Sequence, residues 1–256
     1  MNLRLTNIQR FSTYDGPGIR TTLFTKGCGI RCPWCSNPEN LSYEIQGYLT
    51  DRGTMKQYGK DYSVPELYKI CMKDWEYYGS EGGVTASGGE ALLQAEALTE
   101  LFSLLHSKNV TCGVETSLFV QKQNLKSILE YLDFIYFDMK ILDVKEARDV
   151  LKGELNQYLK NVEFLFEHYD RNKITVRIPI VKGFTDGEEN LLKIKELLER
   201  YKPGKCEIFS VHNLGSAKYR TLGIAYKEFE ICSSEELDQY RRTLSQSGIK
   251  ILVNGL

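Results

Sequence analysis

Three cysteines, Cys28, Cys32 and Cys35, stand in the stretch KGCGIRCPWC at the spacing C-x3-C-x2-C. Three thiolates on one short loop can each ligate one iron of a 4Fe-4S cube, and no fourth Cys lies nearby for the last iron. That iron stays open to a ligand carrying its own chemistry. A structural zinc site needs four protein ligands, and His106, His168 and His212 are all distant in sequence. A disulfide framework suits small secreted domains, whereas this chain has 256 residues, an odd seven Cys and no signal-like core at its start. The dispersed Cys71, Cys112, Cys206 and Cys232 form no cluster motif and are expected in the core or on helix faces.

Other chemistry-bearing residues fall where strands should end. Ser87-Gly88-Gly89-Glu90 follows a short strand, and missing Cβ atoms there let a ligand reach backbone N–H and C=O groups. Glu115-Thr116 and Asp138-Met139-Lys140 close two further strands, which places carboxylates and an ammonium at one rim of a parallel sheet. Before the first such strand, Asp15-Gly16-Pro17-Gly18-Ile19-Arg20 combines turn formers with a proline of fixed φ and reads as a tight entry turn.

The elements that must hold these groups alternate. Strands are expected at Arg20–Thr25, Gly83–Ala86, Val110–Glu115, Phe134–Asp138, Lys173–Val181, Lys205–Val211 and, briefly, Lys250–Val253. Helices are expected at Val64–Tyr78, Leu92–His106, Gln121–Tyr131, Leu155–Tyr169, Gly187–Tyr201 and Glu235–Ser247. Ser63 offers an N-cap to the first, with Pro65 and Glu66 in its first turn. Repeated βα units give parallel strands, so the fold class is α/β: a partial (β/α)6 TIM-type barrel with its working groups at the strand C-termini. One domain over 1–256 is expected, with a cluster loop at 26–38 and a polar, irregular surface excursion at 36–62.

Composition narrows the partners. Lys plus Arg number 33 against 34 Asp plus Glu, a net charge of −1, so no basic field draws nucleic acid. No run of 18 apolar residues occurs, so no membrane partner is expected and the localisation expected is cytoplasmic. Unpaired cysteines suit a reducing interior, and exposed thiolates with iron an anaerobic one.

The C-x3-C-x2-C loop, with an aromatic before its last Cys, resembles the cluster motif of the radical S-adenosylmethionine (AdoMet) superfamily. DGPGIR, CGIRCPWCSNPE, GGVTASGGEALLQ, VET, FDMK, RIPIVKGFTD and HNLGSAKY resemble, in the same order, the motifs of glycyl radical enzyme activating enzymes. The resemblance runs from about Ile8 to the C-terminus and implies a set of roles. Cys28, Cys32 and Cys35 would ligate the cluster, and AdoMet would chelate the open iron. Trp34 would meet adenine through its backbone, and Gly88, Gly89 and Glu90 would receive the methionine amino group. Asp138 and Lys140 form a D-x-K element at AdoMet, Arg177 would lie near its carboxylate and His212 near its ribose. Glu115, where many relatives have Asp, and Thr116 belong to the same site, where acidic groups in relatives also hold a monovalent cation. Asp15 and Gly16 would grip the glycine loop of a partner glycyl radical enzyme.

The implied reaction is reductive AdoMet cleavage, with the 5′-deoxyadenosyl radical taking hydrogen from a backbone glycine of that partner and a flavodoxin or ferredoxin-type reductant supplying the electron. The stretch Ser36–Ser63 lacks Cys, so this is a single-cluster version without the ferredoxin-like insert of many relatives. Ser117-Leu118 replaces the small polar residue plus Gly that often follows the Glu/Asp-Thr pair. Two alternatives are a radical AdoMet enzyme acting on a small molecule or ribosomal peptide, and a non-catalytic cluster protein. Partner-independent turnover marks the first, and failure to bind AdoMet the second.

Overall fold

The alternation of β-branched runs with amphipathic segments winds the chain in one direction, as the computed structural model shows for residues 1–253. In chain order the elements are β1 (Asn2–Ser12), β2 (Arg20–Thr25), β3 (Gln46–Leu49), β4 (Met55–Tyr58), β5 (Lys60–Ser63), α1 (Val64–Cys71), α2 (Trp75–Tyr78), β6 (Gly83–Gly88), α3 (Ala95–His106), β7 (Thr111–Thr116), α4 (Lys122–Ile128) and β8 (Phe134–Asp138). There follow α5 (Val144–Glu146), α6 (Leu155–His168), β9 (Ile174–Ile180), α7 (Glu188–Tyr201), β10 (Lys205–Ser210), α8 (Ser216–Thr221), α9 (Ser234–Ser245) and β11 (Ile251–Val253).

The main sheet has the order β11-β10-β9-β8-β7-β6-β2-β1-β5. From β2 to β11 every neighbouring pair is parallel. Each new strand is laid beside the last, which curls the sheet in barrel fashion, unlike a doubly wound sheet that reverses at its centre. Among the described residues β5 and β11 remain unpaired with each other, so the barrel is partial. Strand residues such as Val84, Val114, Ile135, Val176 and Ile208 are fully buried, as are Leu98, Leu101 and Phe102 of α3. Cys71, Cys112, Cys206 and Cys232 are all buried.

Several expectations need correction. The main sheet gains two strands, β1 and β5, that pair antiparallel at its first edge. The excursion 36–62 is structured: β3 and β4 form a hairpin with Tyr48 stacked on Tyr58, and Pro38–Asn40 makes a 3-10 turn. The helix expected over Val64–Tyr78 breaks at a 3-10 turn, Met72–Asp74, between α1 and α2. Asp74 causes the break by turning into the sheet, where Thr21 donates to it at 2.8 Å and Arg10 pairs with it. Tyr78 then donates its hydroxyl to the orphaned carbonyl of Cys71 at 2.8 Å. The helices expected from Leu92 and through Tyr131 likewise begin or end in 3-10 turns, Ala91–Gln94 and Leu129–Tyr131.

Candidate active site

The C-terminal ends of β6 to β10 and the cluster loop enclose a cavity of about 350 Å³. Cys28, Cys32, Trp34, Cys35, Gly88, Gly89, Glu115, Thr116, Asp138, Lys140, Arg177 and His212 all line it, and so does Asp15. Two of the residues singled out in the sequence, Gly16 and Glu90, do not line it.

The cluster loop is held open by partners remote in sequence. Its root is fixed by Lys26 N–H donating to Arg4 O, Gly27 N–H to Asn40 O and Cys28 N–H to Leu41 O. Gly27 has φ +102°, a conformation that favours glycine. Farther along, Arg31 N–H donates to Leu151 O at 2.6 Å, and the Arg31 side chain returns to Cys28 O at 2.7 Å. Leu151 ends a π-helical turn, Ala147–Leu151, whose irregular backbone frees that carbonyl. From α8, Tyr219 donates to Cys35 O at 3.0 Å, while Lys218 reaches Asn37 at 2.6 Å and Glu39 at 2.7 Å. These α8 contacts span some 180 positions, beyond the reach of any local pattern.

The three thiols supply the donor set of a cube with one open iron, since thiolates are the ligands such a cluster takes. They are half-buried, and the cavity lining holds no fourth Cys among the described residues. Burial pushes the Cys28 thiol up to about 11 and the Cys32 thiol up to about 12, and raises Cys35 as well. A cluster held by these three thiols would displace a proton from each.

The Gly88-Gly89 turn packs directly on that loop. Gly89 N–H donates to Thr25 O and Glu90 N–H to Gly27 O at 2.7 Å. A Cβ on Gly89 would lie 2.2 Å from Gly27 O, and one on Gly88 would lie 2.3 Å from Thr25 N. Only bare backbone allows this approach, and the same bareness exposes the turn to a ligand. Glu90 serves a different end. Its carboxylate is fully buried and accepts Thr116 Oγ1 at 2.7 Å, Leu92 N–H at 3.0 Å, Ser117 N–H at 2.7 Å and Ser117 Oγ at 2.6 Å. Burial raises its pKa, and the four donors pull against that rise. Glu90 thus ties the β6 turn to the end of β7, and the two glycines, not Glu90, face the cavity.

The loop after β7 takes the shape a glycine would take. Leu118 has φ +58°, its N–H accepted by Thr116 Oγ1 at 3.0 Å and its carbonyl held by Asn161 at 2.9 Å. The full burial of its side chain offsets the backbone strain.

Charges meet at the rim. Arg177 Nη1 lies 2.6 Å from Glu115 Oε1, and its Nε lies 3.9 Å from Asp138 Oδ1. Lys140 Nζ lies 2.5 Å from Asp138 Oδ2, and Ser87 donates to Glu115 Oε2 at 2.6 Å. Burial raises the Glu115 pKa, against the pull of Arg177. Burial also works against the Lys140 charge, but Asp138 together with Cys32 and Cys28 outweighs it and the pKa is raised. Arg177 stays charged, its burial outweighed by Glu115, Asp138 and Glu207 together.

Beneath lies the entry turn. Asp15 Oδ2 accepts the hydroxyls of Ser12 and Thr22, each at 2.6 Å. Its carbonyl accepts Thr85 Oγ1 at 2.7 Å, and Thr85 Oγ1 in turn receives Arg20 Nε at 2.6 Å. Arg20 is fully buried with no carboxylate in an ion pair with it among the described residues, spends its other donors on Pro17 O, Glu81 O, Val84 O and Thr111, and lies over the Phe134 ring at 4.7 Å. Burial lowers its pKa to about 10. Gly16, at φ +137°, is pressed against Phe134 and Arg20, where a Cβ would meet Phe134 Cζ at 2.3 Å.

Comparison with known proteins places the chain in a family. The family model for the radical SAM superfamily matches residues 22–194. The pyruvate formate-lyase 2-activating enzyme of Escherichia coli (strain K12) is 34% identical over 272 residues, covering 98% of this chain and 92% of that protein. The (2S)-3-sulfopropanediol dehydratase activating enzyme of Klebsiella oxytoca is 32% identical over 273 residues, covering 86% of each. Among solved structures, QueE from Escherichia coli superposes with a TM-score of 0.60 at 14% identity over 99% of this chain and 94% of that one, a likeness of fold. The chain belongs to the radical SAM superfamily and, within it, to the activating enzymes that cleave AdoMet at a 4Fe-4S cluster to place a radical on a backbone glycine of a glycyl radical enzyme.

Proposed function

We propose that Cys28, Cys32 and Cys35 ligate the cluster, and that Trp34, Gly88, Gly89, Thr116, Asp138, Lys140, Arg177 and His212 hold AdoMet. Glu115 and Glu90 position that set, and Asp15 engages the partner's glycine loop, with Gly16 giving the turn its shape. The supporting observation is that Asp15 and the three thiols line one cavity although they belong to separate loops. When bound, the cluster supplies a low-potential electron and AdoMet the radical that abstracts the glycine hydrogen. The chain's own task is alignment, because hydrogen transfer needs the reacting atoms close and water kept away. Trp34 packs against Phe184 with ring centroids 5.3 Å apart, walling the adenine side. The hydroxyls of Ser12 and Thr22 fix Asp15 Oδ2, leaving Oδ1 for an extended peptide's N–H. The unclosed side of the barrel admits such a peptide.

The electron donor is proposed to be a flavodoxin or ferredoxin-type protein, and the setting a reducing cytoplasm, in keeping with seven free thiols. No helix among the described residues is long and apolar enough to cross a membrane. The test uses protein reconstituted anaerobically with iron and sulfide, dithionite, AdoMet and candidate glycyl radical enzymes, read by the doublet EPR signal on the candidate. Asp15→Asn keeps an oxygen for the two hydroxyls but loses the charge, and should raise KM for the partner about tenfold, the equivalent of roughly 1.4 kcal/mol. Wild-type KM in that variant would remove Asp15 from the peptide site.

A further inference from the structure

The family resemblance implies a monovalent cation among the acidic groups at the ends of β7 and β8, and the residues present do not fit one. Glu115 Oε1 is taken by Arg177 at 2.6 Å and Oε2 by the Ser87 hydroxyl at 2.6 Å. Asp138 Oδ2 is taken by Lys140 at 2.5 Å, and Oδ1 faces Arg177 Nε at 3.9 Å. Two carboxylates thus meet one guanidinium and one ammonium, and their charges cancel. A metal ion would have to approach the guanidinium and ammonium that already serve those oxygens. Asp15 adds a third carboxylate to the cavity, but two hydroxyl donors converge on its Oδ2.

We propose that Arg177 and Lys140 replace the monovalent cation in this enzyme, each neutralising one carboxylate, so that AdoMet binds without Na+ or K+. The length of Glu115 makes this arrangement. An Asp at 115 would withdraw its oxygens by roughly 1.5 Å, one C–C bond. The contact to Arg177 would then open from 2.6 Å to about 4 Å, past hydrogen-bonding range. Phe209 supports the guanidinium from below, its ring 5.3 Å from Arg177 Cζ, which keeps the cation on the carboxylate side of the cavity.

The inference rests on the assignment of this cavity to AdoMet, and the experiment separates the two. AdoMet binding to the anaerobically reconstituted holoprotein is measured by calorimetry, and by the EPR line shape of the reduced cluster. The medium contains KCl, NaCl or choline chloride at one ionic strength. Wild type should give Kd values within twofold in all three salts and one line shape. Glu115→Asp and Arg177→Gln, each checked for cluster content, should bind AdoMet at least fivefold more tightly in KCl or NaCl than in choline chloride. A wild-type Kd that tightens fivefold or more with K+ or Na+ overturns the inference and leaves the assignment standing. Indifference to salt in all three proteins also overturns it, since the carboxylates would then never compete for a cation. A holoprotein that binds no AdoMet in any salt takes the assignment down with it.

Discussion

Glu90→Gln isolates what the buried carboxylate at the β6 turn does. The side chain is fully buried, and its two oxygens accept four donors, two of them backbone N–H groups, Leu92 at 3.0 Å and Ser117 at 2.7 Å. The hydroxyls of Thr116 and Ser117 can turn to accept, but a backbone N–H cannot. Whichever way the amide is placed, its NH2 faces one of these two N–H groups, which loses its acceptor. A buried donor left unsatisfied costs about 1–3 kcal/mol, and the remaining bonds lose the extra strength of a charged acceptor. A net loss of about 2 kcal/mol should lower the unfolding midpoint by roughly 4–8 °C in a chain of this size. The assay is thermal unfolding of the cluster-free protein by circular dichroism, under argon with reductant. Because the carboxylate also anchors the turn that carries Gly88 and Gly89 to the end of β7, AdoMet affinity of the reconstituted protein should fall as well. A midpoint within about 1 °C of wild type would refute the claim that the Glu90 carboxyl group clamps β6 to β7.

Two further perturbations follow from local geometry. Gly89→Ala puts a Cβ 2.2 Å from Gly27 O and 2.6 Å from Asn40 O, so the root of the cluster loop must shift; lower iron content per chain after reconstitution is the expected result, and full occupancy would contradict it. Asp74, nearly fully buried and paired with Arg10, is held below the usual carboxylate range by that hydrogen bond. Its folded pKa lies below its unfolded value, so its stabilisation is present above about pH 4 and is lost as pH falls through the folded value. The midpoint gap between wild type and Asp74→Asn should therefore shrink from pH 7 toward pH 3, and a gap constant with pH would sink the attribution.

Much of this architecture could be read from residue order because the signals are local. The β-branched run Arg20–Thr25 and the two glycines at the end of β6 announce a strand and an open turn, and both lie where local pattern puts them. Ser63 caps α1 through Glu66 N–H as its spacing predicts. The alternation of Leu3 and Leu5 with Asn2 and Arg4 did carry a strand signal, and those two leucines are the buried face of β1. What eluded the sequence depends on contacts between distant segments. The break at Asp74 needs Arg10 and Thr21 from the opposite strands, and the tie from Tyr219 to Cys35 needs the barrel to be built first. The role of Glu90 was hidden for the same reason: GGE looks alike whether its carboxylate faces a ligand or, as here, the loop after β7.

The entry turn shows why those long-range contacts matter to the chemistry. A buried guanidinium that makes no ion pair among the described residues is costly, and the lowered pKa of Arg20 reflects that cost. The structure offsets it with carbonyls and hydroxyls of the entry turn and strands β6 and β7. Those are also the groups that fix the backbone carrying Asp15, since Thr85 receives Arg20 and donates to Asp15 O. The expense thus falls on positioning a carboxylate at the cavity floor, while the cluster loop above is positioned by carbonyls and side chains from β1, the π-turn and α8. Neither loop is shaped mainly by its own sequence. Each is set by the barrel around it, so the thiols and Asp15 come to line one cavity although they stand on separate loops.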